Sequence, residues 1–185
     1  MKYDGIVHAH VRAPVELQIL ILPPRAHPNT LGSRKRGGAV MTFDLALPAP
    51  NVPVGSYVMA VRSGDLLFLS GHGAFEDGRP VHTGRLGETM TSEQGARAAE
   101  TVMLNLLATI RAELGDLSRV ARVVKVVVFV NSAPDFTEQH LVANGATDLL
   151  ARVFGDAGRP ARSAVGVAAL PLGFAVEIEA IVEIG

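Results

Sequence analysis

The chain has 185 residues and a mass of 19.5 kDa, room for one ordinary domain and little more. With 48% of residues hydrophobic and 19% charged, it can bury enough apolar surface to offset its conformational entropy, which excludes global disorder. It contains no cysteine, which excludes disulfides, thiolate metal sites and cysteine nucleophiles, and its net charge of -1 gives no global pull toward nucleic acid or an anionic membrane.

Residues 1–40 carry Lys2, Arg12, Arg25, Arg34, Lys35 and Arg36 against Asp4 and Glu16, a local charge of +4 that leaves -5 for the remainder. Pro14, Pro23, Pro24, Pro28 and Gly32 break any periodic pattern there, so the stretch reads as an irregular arm. Residues 41–185 read as a single domain, with Met41 as an alternative start. The only apolar run of the arm, Leu17 to Leu22, is far short of the roughly 20 residues that span a bilayer, and the opening MKYDG is acidic where a secretion signal is basic. A cytoplasmic protein with no membrane partner is the expectation.

Tyr57–Ser63 and Leu66–Gly71, with Gly64-Asp65 between them, have the spacing and turn chemistry of a β-hairpin. Thr91 followed three positions later by Gln94 forms a capping box, and Ala99, Met103, Leu106, Leu107, Ile110 and Leu114 then follow helical spacing until Gly115. Val120–Asn131 is too rich in β-branched residues for a good helix and apolar on both faces over Val123–Val130, which predicts a central strand covered on two sides. A second helix is predicted from about Thr137 to Phe154, with Val142, Ala146, Leu149, Leu150 and Val153 on one stripe. Two strands close the chain, 162–170 and 175–184. In the last, Val176, Ile178, Ala180, Val182 and Ile184 share one face while Glu177, Glu179 and Glu183 share the other. The order ββ, α, β, α, ββ predicts an α+β domain, a mixed sheet with two helices on one face. The other face is too apolar to stay in water, and burial against further copies of the chain in a closed ring is the economical cover.

Four blocks carry a family resemblance: GSYVMAV before LFLSG, DLSRVARVVKVVVFVNSAPDF, RPARSAVGVAALP and VEIEAIV. In order and spacing they resemble the Rid/YjgF family of reactive-intermediate deaminases, over about residues 48–184. The resemblance implies a chorismate-mutase-like fold and a homotrimer with sheets packed inward and ligand clefts between subunits. It also implies hydrolysis of 2-imino acids or their enamine tautomers to 2-keto acids and ammonia, with no metal or organic cofactor.

By the same resemblance Arg162 would hold the substrate carboxylate, and its planar fork suits that task better than a lysine. Pairing of Arg162 with Glu177 or Glu179 across the sheet is the alternative. Glu177 would orient or deprotonate the attacking water, with Glu179 two residues on, sharing its face. Tyr57 would shape the pocket wall, and Ser70 or the Gly71 amide would touch the ligand. His72, which stands where the family has glutamine, and Ala164, where it often has cysteine, would also line the ligand site, and the family asparagine in that site corresponds to Asn144 or to His140. The spacing of His72, His82 and His140 matches no metal-ligand motif. A ligand-binding or chaperone-like trimer without turnover is the competing reading. The -5 core, with no interleaving of aromatic and basic residues, argues against RNA cleavage.

Overall fold

A computed structural model describes residues 45–185, so the expected arm at 1–40 and the alternative start at Met41 lie outside the described residues. The strands are β1 (Ala60–Ser63), β2 (Leu66–His72), β3 (Phe75–Glu76), β4 (Arg79–Pro80), β5 (Val120–Asn131), β6 (Ala161–Val167) and β7 (Val176–Ile184). The helices are α1 (Ser92–Leu114) and α2 (Gln139–Phe154). The main sheet runs β1-β2-β7-β5-β6, and β3 pairs with β4 in a separate ribbon. No helix among the described residues is long and apolar enough to cross a membrane.

The local signals explain most of these elements. Gly64, at φ +59, turns β1 into β2 with Ser63 opposite Leu66, although Tyr57 to Met59 stay outside the strand. The side chain of Thr91 accepts from the Gln94 amide and that of Gln94 accepts from the Thr91 amide, closing the capping box. Gly115 ends α1 with its N–H on the Arg111 carbonyl. Met103, Leu107 and Ile110 are fully buried, each contributing about 1.5–3 kcal/mol of apolar transfer free energy. α2 begins two residues later than its periodicity predicts, and Glu138 at its N-cap makes no side-chain capping bond, its carboxylate accepting from the Ser92 hydroxyl instead. The helices cross where Gly145 meets the Ala96 carbonyl, a contact that leaves no space for a Cβ.

Both helices cover one face of the sheet, and Leu67, Leu69, Val126, Val128, Val130, Val176, Ile178 and Val182 fill the layer between. β5 runs parallel to β6 and antiparallel to β7, so the two closing strands, although consecutive, are separated by β5. A parallel pair needs a crossover, and α2 supplies it. The described chain covers β5 on one side only. On the other side Phe68, Val127, Phe129 and Ile181 share a face whose register joins Phe68 to Ile181, Val127 to Glu179 and Phe129 to Glu177. Phe68 is 40% exposed there, alongside exposed Val61 and Val165.

Candidate active-site halves

The first half of the site forms where β2 leaves regular pairing. Leu69 opposes Ala180 and His72 opposes Ile178, three residues against two, so Ser70 and Gly71 share a β-bulge beside Glu179. Ser70 is fixed by its amide on the Met59 carbonyl at 3.0 Å and its hydroxyl on the Val58 carbonyl at 2.6 Å. The carboxylate of Glu177 lies over Gly71, in space that a Cβ at that position would occupy. A cleft of about 440 Å3 opens there, bounded by Tyr57, Ser70, Gly71, Phe75, Leu172, Phe174 and Glu177. Phe75 and Phe174 meet edge to face at 5.1 Å, and buried Asn105 of α1 fixes Phe75 by bonding both its backbone N–H and its C=O. Burial, and then the charge of neighbouring Glu179, raise the Glu177 carboxyl above the usual carboxylate range. Glu179 itself opens into a different hollow, of about 270 Å3, with Lys125 and Phe68.

The second half is built on α2 and β6. Arg162 pairs with Val126 in the β5–β6 register, so it points to the helix side. Its Nη1 donates to Asn144 Oδ1 at 2.9 Å and to Thr147 Oγ1 at 3.1 Å, and its Nη2 donates to the His140 carbonyl at 3.3 Å. Asn144 therefore meets the arginine with its side chain and His140 with its backbone alone. These bonds occupy three of the five guanidinium N–H groups and leave Nε–H and one Nη2–H. Among the described residues, no carboxylate lies within ion-pair distance of Arg162, so the cross-sheet pairing with Glu177 or Glu179 does not form. Ala164, opposite Val128, is half-buried on the same face as Arg162. Glu177 sits opposite Phe129 on the other face of the sheet, with β5 intervening. Two strand spacings, about 10 Å, plus the thickness of the sheet keep one small ligand from touching both in the same chain.

His72 departs from the ligand-contact expectation. It is fully buried, with Nδ1 on the Ser70 carbonyl at 2.7 Å and Nε2 on Thr109 Oγ1 at 2.9 Å. The extra residue of the bulge turns its side chain to the helix side, where strict alternation would place it on the open face. Desolvation lowers its pKa, more than the bond to Ser70 raises it. Asn105, which supports the cleft from behind through Phe75, and Leu172 at its rim have no sequence signal of their own. Asn105 lies within a helical stripe, and Leu172 occupies a turn.

Residues 48–184 match the family described as Endoribonuclease L-PSP. Protein TCP17 of Trypanosoma cruzi is 50% identical over 157 residues, covering 84% of this chain and 98% of that protein. A 2-iminobutanoate/2-iminopropanoate deaminase of Dermatophagoides farinae is 31% identical over 140 residues, covering 76% of this chain and 94% of that protein. Among solved structures, Atu1372 of Agrobacterium tumefaciens, a protein of unknown function, aligns with a TM-score of 0.73 at 46% identity, covering 77% of this chain and 87% of that one. RidA of Psychrobacter sp. PAMC 21119 aligns with a TM-score of 0.52 at 32% identity, covering 74% and 94%. With the mixed sheet, the helices on one face and this match over most of its length, the chain belongs to the endoribonuclease L-PSP family, also called YjgF/RutC/Rid.

Proposed function

We propose that the protein hydrolyses reactive 2-imino acids, or their enamine tautomers, to 2-keto acids and ammonia in clefts between the subunits of a homotrimer. The observation that carries this reading is Arg162, a cation held in place by three neutral acceptors with two N–H groups to spare. Those donors suit a carboxylate, whose two oxygens accept parallel bonds from a guanidinium fork. A neighbouring subunit then has to supply Glu177, because within one chain the two groups face opposite sides of the sheet. The apolar open face gives the subunits a reason to associate, since water is a poor cover for Phe68, Val127, Phe129 and Ile181.

Glu177 takes a proton from water as the oxygen adds to the imine carbon and passes it to the imine nitrogen, giving a neutral carbinolamine. It then takes the hydroxyl proton and delivers it to the amine nitrogen as the C–N bond breaks, leaving a keto acid and ammonia. A carboxyl with a raised pKa suits both directions of transfer better than an ordinary exposed glutamate. The test combines light scattering with an assay of imines generated in solution by an amino-acid oxidase, hydrolysis being read against semicarbazide trapping. A trimer that accelerates hydrolysis is expected. A monomer, or a trimer that binds keto acids without turnover, refutes the catalytic assembly.

A further inference from the structure

The cleft beside Glu177 is larger and more apolar than a short imino acid requires. Its volume, about 440 Å3, falls in the range of roughly 300–1,000 Å3 typical of pockets that enclose drug-sized ligands. Glu177 is the only carboxylate in its lining among the described residues; Asn51, Tyr57 and Ser70 add polar groups, and the rest of the wall is mainly apolar, with Val52, Val54, Phe75, Leu172 and Phe174. Past Phe75 the groove runs on into a second hollow of about 440 Å3 that reaches Pro48 and Gly78.

Three of these wall residues are unusual in their exposure. Val52 is 76% exposed, Val54 71% and Leu172 57%, and all three border this one cleft rather than being scattered singly over the surface. Leu172 also has φ +55 and ψ 12, left-handed backbone that a bulky side chain seldom adopts and that its neighbour Gly173, at φ +73, takes without penalty. The turn is held by the Gly173 amide on the Leu170 carbonyl, the Phe174 amide on the Pro171 carbonyl, and the Gly84 amide on the Gly173 carbonyl. A leucine kept in strained backbone at the rim of a cleft points to a use for its side chain.

The substrate's own geometry supplies that use. An imino carbon carries three substituents. If the carboxylate goes to Arg162 of a neighbouring subunit and the carbon and nitrogen lie against Glu177, the third substituent has to leave along the apolar wall. A methyl group would leave Val52, Val54 and Leu172 wet, whereas a branched or aromatic group would cover them.

We propose that Leu172, Val52 and Val54 set the side-chain specificity of the site, and that its substrates are 2-imino acids with bulky apolar side chains of leucine, methionine or phenylalanine size, preferred over the alanine-derived imine. This inference rests on the deaminase reading above.

The test uses the full chain and imines generated by an amino-acid oxidase from alanine, leucine and phenylalanine. Each CH2 desolvated is worth about fourfold in kcat/KM, from about 0.8 kcal/mol, so a preference of at least about tenfold for the leucine- or phenylalanine-derived imine is expected. Leu172→Gly removes the side chain and suits the left-handed turn, so the variant folds. It should lower the leucine-to-alanine selectivity ratio at least about fivefold, chiefly through KM, with the oligomer mass unchanged. A parent ratio near one overturns the proposal. So does a variant that slows all substrates alike, or one that changes the oligomer mass, which would make Leu172 an interface residue. If the parent accelerates no imine, the deaminase reading fails by itself, and calorimetry with 4-methyl-2-oxopentanoate against pyruvate decides the pocket. Tighter binding of the branched keto acid upholds it, and equal or absent binding overturns it.

Discussion

Replacing Arg162 with lysine keeps the charge and removes the fork. The guanidinium spends three N–H groups on Asn144, Thr147 and the His140 carbonyl and retains two for a ligand. A lysine has three donors in all. If it keeps Asn144 and Thr147 it offers one bond to a carboxylate, and if it turns to the carboxylate it abandons the contacts that orient it. One charge-assisted hydrogen bond is worth about 1.5–3 kcal/mol, so kcat/KM should fall about 10- to 150-fold. The fold should hardly notice, because the lost partners are neutral groups near the surface, and a drop in Tm of less than about 5 °C is expected. The companion change Asn144→Asp sets a carboxylate against the guanidinium. Keto-acid affinity should fall at least about tenfold, while the new ion pair leaves stability equal or higher. Steady-state imine hydrolysis, keto-acid calorimetry and thermal melts separate these effects. If Arg162→Lys turns over within twofold of the parent, the carboxylate is held elsewhere and the assignment of Arg162 is refuted.

Glu177→Gln should lower kcat at least about a hundredfold and change keto-acid affinity little, since it removes the proton carrier and not the anchor. The same variant should melt above the parent at pH 7. A carboxyl whose folded pKa is raised contributes stability that is present below its unfolded value of 4.5 and is lost as pH rises through the folded one. The two melting curves should therefore converge in acid, and a variant that melts lower at neutral pH would show that burial does not disfavour the charge. His72 has the opposite sign: its folded pKa is lowered, so its contribution is present above the unfolded value of 6.5 and is lost as pH falls. His72→Gln should flatten that acid limb in a melting series, and an unchanged limb would place the titration elsewhere. Gly71→Ala should cut turnover at least about tenfold with little loss of stability, because the new methyl displaces the flexible end of Glu177 and no backbone. Turnover equal to the parent's would show that the position of that carboxylate is unimportant.

Much of this fold was legible locally. The capping box at Thr91 and Gln94, the stripe from Ala99 to Leu114 and the alternation from Val176 to Ile184 are patterns of period 3.6 or 2 within one segment, and each formed as its spacing predicts. The candidate roles of Arg162 and Glu177 rest on the resemblance of the blocks around them.

What depended on the tertiary structure was which side of the sheet each group meets. The bulge at Ser70-Gly71 exists only against β7, and one extra residue sends His72 into the core. The insertion of β5 between β7 and β6 puts Arg162 and Glu177 on opposite faces. The return of α2 over β6 brings the side chain of Asn144, and only the carbonyl of His140, to the arginine. Side-chain period is a property of neighbouring residues and can be read along the chain. Register, bulges and strand order are set by pairing between segments tens of residues apart, and no window of sequence contains both partners.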